Sequence, residues 1–449
     1  MKRHLEVRRG SYRDSVRLMQ ISQAVQRVPG VTGALVAMAT ELNLDLAAGM
    51  GFTRPGDATP NDMMVALAAD GDAALDEALA RLATELATTG PAPAGTGPAE
   101  VPPRTVGSAV RRTGAGVVVV STPGRYAFLD AMDALDAGAS VLVFSDNVPV
   151  AQEIALKDAG TARGLLVMGP DCGTAVLGGV GLGFANLVRP GPVGLVAASG
   201  TGAQQVMCLL DAAGVGISHC LGVGGRDLSA AVAGRSTLAA LDALDADPAT
   251  GLILVVAKPP DPAVARAVRD RAAALRTPVL FGLLGAGQPD LTSTVEQVLS
   301  ALGTAVPDWP QWTAPAVPRQ GAIRGLYCGG SLCDEAMAIA SGALGPVYSN
   351  IPLRPEWRVG ATEPSRAHVM IDFGDDELTL GRPHPMIDGT LRRERLAAEA
   401  ADPSCAAILL DVVLGYGADP DPAATLAPAV AAARERGPAV ARAVRDRAA

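Results

Sequence analysis

Aromatic residues are nearly missing from this chain: Phe, Tyr and Trp together supply 3% of its 449 residues. Its cores must then be filled by Val, Leu, Ile and Ala, which is how parallel sheets covered by helices are packed. Histidine is scarce too, with four in all, His4, His219, His368 and His384, so imidazole chemistry has few addresses. The six cysteines, at positions 172, 208, 220, 328, 333 and 405, have neither the paired spacing of a zinc site nor the density of a disulfide scaffold. They predict reduced thiols in a cytosol. A basic surplus is also lacking: the net charge is -9, the pI is near 5.1, and no Lys/Arg run stands beside stacking aromatics, which excludes nucleic acid as a partner. No run of about eighteen uncharged apolar residues occurs, and the basic opening MKRHLEVRRGSYRDSV leads into none. The expectation is a cytoplasmic protein, neither secreted nor membrane-spanning.

What is present is length and alternation. A chain of 449 residues exceeds one hydrophobic core and predicts several domains. Residues 1–88 combine a helical stretch from Ser15 to Ile21, a strand-like GALVAMAT and an Ala/Leu helix, as in a small α+β unit. The Pro/Gly-rich segment 89–104 reads as a linker. Beyond it, apolar runs at 117–120, 141–144, 164–169, 193–197, 252–257 and 278–284 alternate with helical stretches. Repeated βαβ units with right-handed crossovers give that pattern. A second Pro-rich segment, 306–320, precedes a last alternating section. The fold class is therefore α/β, with tandem Rossmann-like and flavodoxin-like parallel-sheet domains at 105–189 and 190–305, a third α/β unit at 321–449 and a small N-terminal α+β domain. The twelve residues PAVARAVRDRAA stand at 262–273 and again at 438–449. Duplicated structural units would not keep one identical helix in dissimilar surroundings, so the second copy reads as an artefact or an early end to the natural chain.

Three turns carry chemistry. In GPVGLVAASGTGAQQ a buried strand enters Ser199-Gly200-Thr201-Gly202 and then a helix expected to begin near Ala203. Small residues let the backbone approach a ligand, and the helix N-terminus attracts anionic oxygens. Gly222-Val223-Gly224-Gly225 follows the next strand as a second such turn, and Gly169-Pro170-Asp171-Cys172-Gly173 is a tight turn after another. Each is also what a plain chain reversal requires. Cys172, beside an aspartate in a turn, is a candidate reactive thiol. His219 sits on a strand-like stretch and reads as a satisfied core histidine. Near the end, Asp372, Asp375, Asp376, Glu377, Arg382, His384 and Asp388 gather around a Gly/Pro-rich loop. A histidine between two prolines cannot lie inside a helix, so His384 is expected on an exposed loop. His384, Asp388 and Asp372 are the candidate catalytic groups; no metal-binding set is read.

The order GPDCG, ASGTGAQQ, GVGG resembles the α-subunit of succinyl-CoA synthetases and related NDP-forming acyl-CoA synthetases. More closely, nearly all of 1–437 resembles the FdrA family. The resemblance implies coenzyme A near Ser121, Pro123, Asn147, Val148 and Pro149, and a phosphate within Ser199, Gly200, Thr201, Gly202, Gly222, Gly224 and Gly225. It leaves nucleotide and Mg undecided. The ligases phosphorylate a histidine in a Gly-His-Ala-Gly turn, where this chain has Leu284-Gly285-Ala286-Gly287 and no histidine.

The resemblance therefore implies an acyl-CoA synthetase-like subunit handling an acyl phosphate or CoA thioester without that phosphohistidine. An alternative is a carbamoyltransferase subunit of ureide and purine catabolism, converting oxalurate and phosphate to oxamate and carbamoyl phosphate. A third reading is a non-catalytic scaffold. Partner subunits, or a homo-oligomer, are implied under each.

Overall fold

A computed structural model describes residues 2–87 apart from 12 and 14, then 102–285, 287–310, 320–379, 383–436 and 439–445. The linker expected at 89–104 and most of that at 306–320 lie outside the described residues. The chain forms two compact units, residues 1–102 and 103–449.

The first unit is an antiparallel sheet in the order β1-β3-β2, from β1 (Lys2–Arg8), β2 (Val31–Met38) and β3 (Met63–Ala69). Helices α1 (Ser15–Gln26) and α3 (Asp72–Ala87) cover one face through Leu18, Ile21, Val25, Ala78 and Leu82. Helix α2 (Glu41–Gly49) closes the other over Met64, Ala66 and Ala68. The alternation in β3 between these two cores reflects the two-residue period of a strand. This is the α+β unit expected.

The second unit holds three sheets. The first is parallel, β4-β5-β6, with β4 (Val117–Val120), β5 (Ser140–Val143) and β6 (Val167–Met168), and is preceded by α4 (Val106–Thr113). Helices α5 (Gly124–Asp136) and α6 (Val150–Arg163) cross over between its strands. The chain then forms an antiparallel hairpin, β7 (Thr174–Leu177) and β8 (Val180–Gly183). β7 pairs not with β6 but with β10, so residues 174–183, assigned from sequence to the 105–189 unit, share a sheet with the next one.

That sheet runs β12-β11-β9-β10-β7-β8, with β9 (Pro190–Ala198), β10 (Ile217–Gly222), β11 (Leu252–Ala257) and β12 (Val279–Leu283) parallel. In β11, Leu252, Leu254 and Val256 face α7 (Gly200–Ala212) and α10 (Leu291–Ala301). Ile253, Val255 and Ala257 face α8 (Arg235–Ala246) and α9 (Pro262–Ala273). An unbroken apolar run is thus a strand buried on both faces. The last sheet, β14-β13-β15-β16, is parallel throughout, from β13 (Ala322–Tyr327), β14 (Val369–Asp372), β15 (Cys405–Val413) and β16 (Ala439–Arg445). Helix α11 (Gly330–Leu344) covers one face; α13 (Thr390–Ala401) and α14 (Pro422–Arg436) cover the other, with the short α12 (Asp376–Thr379) after β14. Among the described residues no helix is long and apolar enough to cross a membrane.

Candidate anion site between two helix N-termini

Parallel strands deliver their carboxyl ends to one edge, where ligands of open α/β sheets bind. Here the ends of β9 and β13 meet. Ser199, extended at φ -161°, caps α7, and its Oγ accepts from Gly202 N at 2.9 Å. The helix therefore starts at Gly200 rather than near Ala203: Gly200, Thr201 and Gly202 form its first turn, because the serine side chain replaces a missing backbone acceptor. Helix α11 starts after Gly329 with no side-chain cap. The two starts abut. Ser199 Oγ is hydrogen-bonded to Ser331 Oγ. Gly329 packs so closely on Thr201 that a Cβ there would lie 2.6 Å from Thr201 Oγ1. The first amides of both helices, which have no intrahelical acceptor, converge on one place.

Lys258, the residue after β11, reaches the same place. A Cβ on Gly330 would fall on the Lys258 ammonium and 2.6 Å from Asp372 Oδ2. The ion pair of Lys258 with Asp334 Oδ2 is stretched to 3.9 Å. Burial works against the ammonium, but the charges of Asp334 and Asp372 outweigh it and raise the Lys258 pKa. Burial in turn pushes the carboxyls up, Asp334 to about 7 and Asp372 to about 6.

Of the expected catalytic groups, Asp372 lies here, buried at the end of β14, its Oδ1 accepting from Gly374 N at 2.9 Å. His384 is beside it, but not on an exposed loop. Its ring packs 5.7 Å from that of Phe184, and a Cβ on Gly374 would lie 2.8 Å from its Nε2. Burial lowers its pKa to about 4, so the imidazole is neutral near pH 7. Met386 N donates to Nδ1 at 3.3 Å, which puts the ring proton on Nε2. Asp388 is elsewhere: exposed, it accepts from Thr390 N at 3.0 Å and tethers the start of α13.

The second glycine turn does not join the site. A Cβ on Gly222 would meet Cys172 Sγ and lie 2.5 Å from Thr174 O, and one on Gly224 would meet Pro170 O. Gly225 lies against Asp171, whose carboxyl is pushed up to about 8 by desolvation and by Asp376 and Asp146. Beneath this turn the fully buried Lys157 donates to Glu153 at 2.8 Å, Asp227 at 2.8 Å and Val223 O at 3.0 Å. Gly222 and Gly224 are framework, while Gly225 is exposed beside Asp171. Cys172 is no reactive thiol either: burial pushes it up to about 12. His219 is satisfied, 3.1 Å from Asp247 and accepting from Gly178 N.

The residues expected near coenzyme A line the carboxyl edge of the first sheet. Pro123 and Pro149 cap α5 and α6, Ser121 follows β4, and Asn147 takes φ +53° between them. The side chain of Val148 is buried and its carbonyl accepts from Arg226 at 2.8 Å, so it offers a ligand no side chain. Lys258, Gly329, Gly330 and Ser331 escaped sequence reasoning, although one signal was present. The chain has three lysines, Lys2, Lys157 and Lys258, against an otherwise all-arginine set of cations.

The family models describe the two ends of the chain. That of the AllF heavy metal-associated domain matches residues 1–102, and that of CoA-ligase matches 326–444. Protein YahF of Escherichia coli K12 is 40% identical over 440 residues, covering 93% of this chain and 85% of that protein. The chain belongs to the FdrA family. Part of it is also similar to NDP-forming acyl-CoA synthetases. The α-subunit 2 of the ADP-forming succinate–CoA ligase of Archaeoglobus fulgidus is 32% identical over 124 residues, 27% of this chain and 43% of that one. The dinucleotide-forming acetyl-coenzyme A synthetase 1 of Ca. Korarchaeum cryptofilum aligns over 73% of this chain and 74% of its own, at 16% identity and a TM-score of 0.32. The metal in the name of the N-terminal family finds no thiolate donors here. Residues 1–102 contain no cysteine, and the described residues hold no group of three His, Cys, Asp or Glu placed for a metal.

Proposed function

We propose that this chain is an acyl-CoA synthetase-like subunit that holds the phosphoryl end of an acyl phosphate between the first turns of α7 and α11. The meeting of Ser199 and Thr201 with Gly329 and Ser331 carries this reading. Amides and hydroxyls fixed in advance stabilise charge on phosphate oxygens at no cost of reorganisation. Coenzyme A, held along Ser121, Asn147 and the starts of α5 and α6, would supply a thiol. Its sulfur attacks the acyl carbon, the bond from that carbon to the phosphate oxygen breaks, and phosphate leaves into the site while the thiol proton passes to solvent. The relatives named as α-subunits motivate a partner subunit.

Carbamoyl transfer is the second reading, favoured by the state of the imidazoles. Residues 284–287 include no histidine, and the His384 Nδ1 is occupied by Met386 N. In that reaction a phosphate oxygen attacks the carbamoyl carbon of oxalurate, the carbon–nitrogen bond breaks, and oxamate leaves with a proton. Calorimetric titration with coenzyme A, carbamoyl phosphate and inorganic phosphate tests both. Coenzyme A binding supports the synthetase reading, and carbamoyl phosphate binding alone supports carbamoyl transfer. Failure of the Ser199→Ala/Thr201→Ala double variant to weaken any phosphoryl ligand would remove the site from both.

A further inference from the structure

We infer that Lys258 is the fixed cation of this site and grips phosphate directly, so that phosphate enters the reaction as a free, non-covalently held reactant. The inference rests on the phosphoryl-site reading above. Its starting point is the contrast between Lys157, fully buried, and Lys258, whose side chain is 36% exposed. Lys157 spends its three donors on Glu153, Asp227 and Val223 O. Lys258 makes no hydrogen bond among the described residues, and its ion pair with Asp334 is at 3.9 Å. An ammonium with three donors and no protein acceptor in hydrogen-bonding range has them free to give to a ligand.

A second donor is left over at the same point. Thr201 is 7% exposed and its hydroxyl makes no hydrogen bond among the described residues, although it faces Gly329. With the opening amides of α7 and α11 these make a set of donors from three strand ends, β9, β11 and β13. A phosphate, with several acceptor oxygens and a double charge, satisfies such a set; a carboxylate has too few oxygens. Gly330 keeps the place clear, since a side chain there would occupy the Lys258 ammonium. The neighbouring carboxyls do not close it. Asp372 Oδ1 is used by Gly374 N, and Asp334 is beyond hydrogen-bonding distance of the lysine. Where the ligases carry a phosphohistidine this chain has Gly285-Ala286-Gly287. A permanent cation serves bound phosphate without any phosphorylated side chain.

The test uses the full chain and inorganic phosphate, followed by calorimetry. A charged hydrogen bond is worth about 1.5–3 kcal/mol, so Lys258→Met should weaken phosphate about tenfold to a hundredfold, while Lys258→Arg keeps most of the affinity. Gly330→Ala, which displaces the ammonium without removing it, should weaken phosphate as well and guards against misfolding of the methionine variant. Equal binding by wild type and both variants overturns the role of Lys258 and leaves the phosphoryl-site reading standing. Absence of phosphate binding to the wild type overturns that reading itself. Incubation with 32P-labelled carbamoyl phosphate, followed by denaturation in alkali where phosphohistidine survives, should leave the protein unlabelled. Label that disappears in His384→Ala would overturn the free-phosphate step.

Discussion

The Gly222–Gly225 turn and the Gly329–Ser331 turn look alike on paper, each a glycine-rich link after a buried strand with a lysine close by in space. Their surroundings reverse their meaning. The first is filled by the Gly169–Gly173 turn, and its lysine, Lys157, is neutralised by two carboxylates and a carbonyl. The second leaves amides and a threonine hydroxyl without partners among the described residues, and Lys258 with only a 3.9 Å ion pair to Asp334. A buried charge with all its bonds made is architecture. A partly exposed one whose donors no protein group takes marks a place that a ligand can occupy.

Removing the two lysines should separate the turns most sharply. Lys157→Met takes from the buried Glu153 and Asp227 the cation they share, leaving them Arg226 and the Ser236 and Thr237 donors, and should cost about 3 kcal/mol of unfolding free energy. Lys258→Met, at a partly exposed group with a long ion pair, should cost under about 1 kcal/mol. Urea melts of the two variants measure both, and equal losses would dissolve the comparison. The glycines give the next contrast. Gly224→Ala, at φ +87° and against the Pro170 carbonyl, should cost about 2 kcal/mol or more. At Gly330 the obstacle is mainly the mobile end of a lysine, so Gly330→Ala should cost about 1 kcal/mol, with the loss falling on phosphate affinity.

Acidity sharpens it further. The Asp171 pKa, pushed up to about 8, lies above the unfolded value of about 3.9. Its stabilising contribution is therefore complete below pH 4 and is lost as pH rises through 8. Asp171→Asn should raise the melting midpoint at pH 8 and flatten its slope between pH 6 and 8. His384 has the opposite sign: lowered to about 4, it contributes above pH 6.5 and loses that contribution as pH falls toward 4. His384→Gln should abolish that acid-side loss in the same melts. A similarly small effect, about 1 kcal/mol, is expected from Ser199→Ala, which removes the α7 cap. Helix α11 has no side-chain cap to lose.

Much of the fold was legible because burial leaves a periodic trace. The runs VVVV and LILVVA became β4 and β11 with the same limits, and the Ser-Gly-Thr-Gly link became the start of α7. The hairpin β7–β8 was missed: Thr174–Leu177 carries no marker that its partner is β10, over forty residues on. The site was half legible. Ser199, Thr201, Asp372 and His384 were named from local pattern and meet in space. Lys258 and Gly330 were not, since neither has a pattern of its own and their meaning lies in each other, across separate sheets.

The repeated peptide shows where local information stops. Residues AVARAVR lie within α9 at 263–269 and form β16 at 439–445. In the first copy Asp261 accepts from the amides of Ala263 and Val264, Pro262 opens the helix, and Val264 and Val268 enter a core one turn apart. In the second, β15 offers an open edge, and the seven residues pair in parallel with Ala407–Val413. Valines four apart share a side in a helix and in a strand alike, so the peptide itself carries no preference strong enough to choose. The apolar strands and their alternation with helices are local matters, and the sequence alone determined them. The form of this peptide, the burial of His384 and the union of Lys258 with two helix starts depend on neighbours far along the chain. Those were decided by tertiary structure, because hydrogen-bond partners and excluded water are properties of an assembled surface.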